Sequence, residues 1–223
     1  MNIKYSIKKK TNQEVWESEN LFYLKSDFSR ISKFIYHYEI YKKILELPGH
    51  VLEFGVFKGA SFSKFLSFRK ILENESSRKI VGFDDFGKFT SKGKKDDKLF
   101  AKKFIEAVGF GISKEELEEI LINNKHSNFE LIEGDVVKTL PLFLKKNKHM
   151  KISLLHLDLD IFRPTLFVLE KLFDKVVKGG IILLDDYAEI SGATEAVDKF
   201  LKNKNYKIEK LQYYKRPSFI IKK

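Results

Sequence analysis

Apolar positions in residues 28–46 recur at helical spacing: Ile31, Phe34, Ile35, Tyr38, Tyr41, Ile44 and Leu45. That period predicts an amphipathic helix, which Pro48-Gly49 breaks. Residues 1–27 show no clean period and read as an irregular extension. Beyond the break, short apolar runs alternate with helical stretches. Strands are predicted at 51–54, 79–84, 128–134, 151–158 and 179–186, and helices at 60–73, 136–146, 164–177 and 193–203. The polar segment 86–127 reads as a loop followed by helices near 96–107 and 114–123. Ser113 and Glu116 form a capping-box pattern at the start of the second of these helices. Residues 206–212 and 217–223 read as a terminal antiparallel pair.

Strands alternating with helices imply a mostly parallel sheet with helices on both faces, ending in an antiparallel strand. The runs VLEF, SLLHL and IILL are apolar without alternation, as expected of strands buried on both sides. In such α/β sheets, ligands bind beyond the carboxyl ends of the strands. Every predicted strand ends in acid there: Glu53, Asp84-Asp85, Asp135, Asp158 with Asp160, and Asp185-Asp186.

The turn Glu53-Phe54-Gly55-Val56-Phe57-Lys58-Gly59 joins the first strand to a helix. Its glycines let the backbone approach a ligand closely, and the helix start offers free N–H groups. It is neither a dinucleotide GxGxxG nor a P-loop. Asp84, ending the second strand, is placed to accept from a ribose diol or to serve as a helix cap or loop salt bridge. Asp135 is equally suited to an adenine amino group and to capping the next helix. Asp158, Asp185 and Asp186 lie on what should be neighbouring strand ends, with Asp160 close by. Carboxylates converging without neutralisation raise each other's pKa, and a hard divalent cation is the simplest remedy. An all-oxygen set suits Mg²⁺ or Mn²⁺ rather than zinc. His156 is expected to face away from this rim as a core histidine.

These segments resemble a known family. EFGVFKGASF, GFDDFGKF, EGDVVKTLP, LDLDIFRPTLFVLEKLFDKVVKGGIILLDDY and GATEAVDKF together are similar to the macrocin O-methyltransferase (TylF/MycF) family. The resemblance runs from about Arg30 to Arg216. It implies a Rossmann-like methyltransferase fold using S-adenosylmethionine and Mg²⁺ to methylate a sugar or phenol hydroxyl. It assigns Asp158, Asp185 and Asp186 to the metal; Asp158, and after it Asp160, is the candidate catalytic base for deprotonating the hydroxyl. Glu53, Phe54, Gly55, Gly59, Ser61, Asp84 and Asp135 form the cofactor set. The family string Tyr-Glu-Ser-Thr is replaced here within Ile161-Phe162-Arg163-Pro164-Thr165, on the acceptor side. The loop 86–97 is placed to close over the site.

Composition narrows the rest. The 223 residues fit an N-terminal extension and helix (1–48), acting as lid or interface, and one α/β domain (49–223). There is no cysteine, which removes thiolate catalysis and Cys-ligated zinc and fits the cytoplasm. MNIKYSIKKK has no apolar run after its charges, so no signal peptide is expected, and no stretch is apolar enough to span a membrane. The net charge of +11 comes from diffuse lysine with only five arginines (Arg30, Arg69, Arg78, Arg163, Arg216), so no nucleic-acid partner is expected. An anionic small substrate such as a phosphate-bearing sugar would suit the field. The apolar Trp16, Leu21, Phe22 and Tyr23 would serve a homodimer. Two rivals remain: a metal-independent methyltransferase with a structural acidic rim, and an RNA-binding or RNA-modifying protein. The five histidines show no spacing for the two-His-one-carboxylate set of an iron oxygenase.

Overall fold

The computed structural model describes residues 6–7, 10–87, 95–212, 214 and 216–223, excepting the side chains of 95–101. The strands are β1 (His50–Phe54), β2 (Ile80–Asp84), β3 (Phe129–Glu133), β4 (Ile152–Leu157), β5 (Val176–Leu184) and β6 (Ser218–Ile221). They form one sheet in the order β3-β2-β1-β4-β5-β6, parallel except for the β5–β6 pair. This is the expected fold class. The order reverses between β1 and β4, which opens a crevice at their carboxyl ends.

Eight helices frame the sheet among the described residues: α1 (Asn12–Lys25), α2 (Phe28–Lys42), α3 (Ala60–Leu72), α4 (Lys95–Val108), α5 (Lys114–Asn123), α6 (Val136–Lys146), α7 (Phe162–Leu172) and α8 (Ser191–Leu201). Two apolar cores fill the space between layers. One joins Tyr36, Ile40 and Tyr41 of α2 and Phe62, Phe65 and Leu66 of α3 to Val51, Leu154 and Leu183 of the sheet. The other joins Leu140 of α6, Val168 and Leu169 of α7 and Val197 of α8 to Leu52, Leu155 and Ile182 on the opposite face. Alternate side chains of each strand feed opposite cores, so β1, β4 and β5 need apolar residues at almost every position.

Two expectations are corrected. The N-terminal extension is not irregular. It contains α1, which buries none of its residues but is opened by a capping box between Thr11 and Glu14. Residues 206–212 do not form a strand. Glu209 makes a single antiparallel bridge to Phe219, and the Leu211 N–H donates to the Tyr36 hydroxyl (3.0 Å) instead of to a ladder. The expected closing loop 86–97 lies partly outside the described residues, at 88–94.

Candidate active site

A cavity of about 820 Å³ opens at the carboxyl edge, where the sheet order reverses. That volume is ample for a small-molecule site. Of the sequence candidates, Gly55, Ser61, Asp84, Asp135, Asp158, Asp160, Asp185 and Asp186 line it. Glu53, Phe54 and Gly59 do not. Phe54 is fully buried, stacked on Phe83 with ring centroids 4.5 Å apart, because its position in β1 faces the second core. Its side chain is structural, and only its carbonyl reaches the site, accepting from the Asp158 N–H at 2.8 Å. Gly59 holds φ +81° at the start of α3, against Leu117. Glu53 is fully buried behind the turn, where Oε1 accepts from the Ser61 hydroxyl and Oε2 has no partner.

Gly55 ties the two halves of the cavity together. It holds φ +94°, and a Cβ there would come within 1.7 Å of the Asp158 carbonyl oxygen. Only glycine permits this crossing of the β1 turn over the end of β4. Asp84 shapes the same turn. Its Oδ2 accepts from the N–H groups of Val56 (2.8 Å) and Phe57 (2.9 Å), and its Oδ1 from that of Phe86 (2.7 Å). Burial pushes its carboxyl up, and these three donors oppose the rise. Asp84 is thus first a clamp on the backbone that faces the cavity. Asp135 caps α6, accepting from the Val137 N–H at 3.0 Å. The cap reading is realised, on a residue that also faces the cavity.

The four rim aspartates divide into two groups. Carboxylate oxygens of Asp158, Asp160 and Asp186 lie within 4.8 Å of one another. Burial and then repulsion from Asp185 push Asp158 up to about 6; burial and then Asp158 and Asp185 push Asp160 up to about 8; burial and then Asp158 and Asp160 lift Asp186 well above the ordinary range. Asp185 turns the other way. Its Oδ2 accepts from the Lys33 ammonium at 2.6 Å, and its Oδ1 lies 3.5 Å from His156 Nε2 and 3.8 Å from His37 Nε2. Burial opposes its charge, but Lys33 and the imidazoles outweigh it and hold Asp185 well below the carboxylate range. The structure therefore brings Asp158 and Asp186 together with Asp160, and places Asp185 against a lysine that sequence reasoning did not single out.

His156 is buried in the core, as expected, but it does not face away from the rim, because its Nε2 meets Asp185. It sits between Asp185 and Glu53, with Nδ1 3.6 Å from Glu53 Oε1. Burial disfavours its charge, but the two carboxylates push it up to about 9. His37 is fully buried, and burial drives it down to about 3. Atoms of His37, His156 and Asp185 lie within 4.8 Å of one another, so a two-His-one-carboxylate set does exist in space. It comes from α2, β4 and the end of β5, and no local spacing could reveal it. Arg30, Lys33 and His37 follow one face of α2, where polar residues interrupt an otherwise apolar helix; that interruption was the available signal. The departing segment at 161–165 also reaches the site, since Ile161, Arg163 and Pro164 line the cavity.

The carboxylate cluster fits a hard divalent cation. Its oxygens converge, and none of its three members has a salt bridge among the described residues. The cavity beside it fits a nucleoside cofactor: a glycine turn, a helix start, and apolar Phe57, Phe110 and Val137 in its wall.

Comparison with known proteins bears on the fold and the family. The chain matches solved structures of the calicheamicin methyltransferase CalS11 (TM-score 0.70, 22% identity, covering 95% of this chain and 93% of that one). It also matches apo CalS11, described as a TDP-rhamnose 3'-O-methyltransferase (TM-score 0.67, 25% identity, 96% and 87%). A third match is the O-methyltransferase NovP (TM-score 0.74, 19% identity, 86% and 80%). No curated protein matches. Among the described residues no helix is long and apolar enough to cross a membrane. The macrocin-O-methyltransferase (TylF) family model matches residues 38–212. The chain belongs to that family and is a S-adenosylmethionine-dependent O-methyltransferase.

Proposed function

We propose that the protein methylates a hydroxyl of a sugar-bearing small molecule, with a divalent cation held by the rim aspartates. The observation that carries this reading is the convergence of Asp158, Asp160 and Asp186 in the same cavity as the Gly55 turn. The sugar acceptor is supported by CalS11, whose description names TDP-rhamnose.

S-Adenosylmethionine supplies an electrophilic methyl on a sulfonium, and a divalent cation lowers the pKa of a bound hydroxyl. Asp158 and Asp186 would hold the cation, and Asp185, which the family resemblance also assigns to it, would join them if the Lys33 ammonium gave way. As the O–CH₃ bond forms and the S–CH₃ bond breaks, the hydroxyl proton passes to Asp158, with Asp160 as the alternative base in the same cluster. The Gly55–Asp158 crossing fixes donor and acceptor in one frame, which in-line transfer requires. Glu53, Gly55, Ser61, Asp84 and Asp135 hold or shape the cofactor's place. Phe22 of α1 also lines the cavity, which supports the N-terminal segment as part of its cover.

Methyl transfer to a panel of sugars, nucleotide sugars and catechols tests this. EDTA should abolish transfer and Mg²⁺ restore it. Asp158→Asn should lower kcat by about 10³ or more, the scale of losing a metal-held base, with S-adenosylhomocysteine affinity near wild type. Full activity in excess chelator would favour metal-independent transfer, a reading that the Lys33–Asp185 pair supports by neutralising part of the rim.

A further inference from the structure

Buried polar atoms without a hydrogen-bond partner are concentrated in one place. Among the described residues there are six such side-chain atoms, and four belong to His37, Glu53 and His156: both ring nitrogens of His37, Glu53 Oε2 and His156 Nδ1. These three residues are fully buried behind the rim, where α2 covers β1 and β4. A cluster of unsatisfied buried atoms calls for a group held between them.

His37 is the decisive member. Its Nε2 lies 3.8 Å from Asp185 Oδ1, too far for a hydrogen bond, and burial keeps the ring neutral, the form that ligates a metal. His156 Nε2 lies 3.5 Å from the same oxygen. Donor atoms of His37, His156 and Asp185 all lie within 4.8 Å of one another. Ligand atoms on a tetrahedral zinc-like ion stand about 3.3 Å apart, so an ion would draw these pairs closer by only a few tenths of an ångström. Glu53 completes the arrangement, with Oε1 3.6 Å from the other nitrogen of His156, Nδ1. A carboxylate there orients a ligating histidine and strengthens it as a ligand. The carboxylates that favour a proton on His156 would favour a metal cation beside it for the same reason.

The donor set also separates this place from the rim. Asp158, Asp160 and Asp186 offer oxygen alone, whereas two imidazoles and a carboxylate suit a first-row transition ion. Lys33 holds Asp185 Oδ2 and leaves Oδ1 to the imidazoles. Lys33 is also attracted by Asp158 and Asp186, so Glu53 and Asp185 can answer a dication. His37 and Asp185 touch the cavity, which gives the ion its way in.

We propose that His37, His156 and Asp185 bind one divalent transition ion, with Glu53 behind His156, and that this ion ties α2 to the sheet beneath the rim. The site shares only Asp185 with the metal set that the family resemblance implies, and it does not depend on the methyl-transfer reading.

The probe is Co²⁺, whose absorption reports its ligands. Untagged protein is expressed in medium supplemented with Co²⁺ and dialysed against excess Mg²⁺, which competes for all-oxygen ligands. One Co²⁺ per chain should remain, and X-ray absorption should show two imidazoles on it. His37→Phe keeps an aromatic ring against Phe65. It should lower Co²⁺ affinity, read by competition with a chelator, about 100-fold or more, past the 10–100-fold loss that follows removal of an outer partner. Asp160→Asn at the rim, and His50→Gln/His149→Gln at the opposite edge of the sheet, should keep the ion. The inference is overturned if no Co²⁺ remains, if the ion carries fewer than two imidazoles, or if His37→Phe retains it. It is equally overturned if Asp160→Asn or His50→Gln/His149→Gln loses it, since the ion would then sit at the rim or on the surface. Should His37→Phe not fold, the ligand count in the wild type and the two control variants still decide.

Discussion

The two edges of the sheet treat charge in opposite ways. At the amino edge, Arg78 donates to the Ser153 hydroxyl (2.6 Å), to Glu73 (2.7 Å) and to the Ile44 carbonyl (3.1 Å). Arg69 donates to the carbonyls of Arg78 (2.9 Å) and Asn128 (2.8 Å). At the carboxyl edge, Asp158, Asp160 and Asp186 crowd together with no salt bridge among the described residues. Both edges remove charged groups from water; the amino edge pairs its arginines almost fully, Arg69 Nε excepted, whereas the rim cluster has no salt bridge among the described residues. A paired buried charge is scaffold. A crowded, unpaired one costs stability that a ligand can restore.

Three variants would sharpen or break this contrast. The largest effect should come from Arg78→Met, which leaves Glu73 buried without its counter-charge, with only the Tyr41 hydroxyl donating to it. Urea denaturation should show a loss of about 3–5 kcal/mol, the range for breaking a buried ion pair. A loss below 1 kcal/mol would mean that the amino-edge network is not scaffold. Asp84→Ala separates edge from pairing, because Asp84 lies at the carboxyl edge yet is fully paired. It should cost about 1–3 kcal/mol in stability through its orphaned N–H donors, and weaken S-adenosylhomocysteine binding as well. Unchanged stability would show that edge, rather than pairing, decides. The smallest effect should be Asp160→Asn, which relieves repulsion in the cluster. In EDTA it should raise stability by roughly 0.5–2 kcal/mol, as removal of a strained functional group commonly does, while reducing the gain in Tm on adding Mg²⁺. Destabilisation in EDTA would mean that the cluster is already satisfied.

The sheet was legible because buried parallel strands need unbroken apolar runs, and VLEF, SLLHL and IILL supply them. The acidic rim was legible because strand ends converge by topology. What sequence did not show were facts of side-chain direction. Asp185 turns to Lys33 and His37, which lie on α2 far along the chain and take part in no motif. Asp84 spends its oxygens on backbone, because the turn after β1 curls back onto it. Phe54 falls within the cofactor motif, but strand alternation sends its ring to the core. Helix α1 was missed because it buries no apolar stripe, although Thr11 and Glu14 carried its capping signal.

The contact of Gly55 with the Asp158 backbone has a mechanical consequence. A sheet twists and breathes continuously, and two separately mounted reactants would drift apart by tenths of an ångström with each fluctuation. Here the Phe54 carbonyl receives the Asp158 N–H, and the glycine lies against the Asp158 carbonyl. A displacement of β1 is therefore a displacement of the end of β4. Under the proposed assignment, motion of the donor's turn would be shared by the acceptor's acids, and less of it would enter the distance the methyl group must cross.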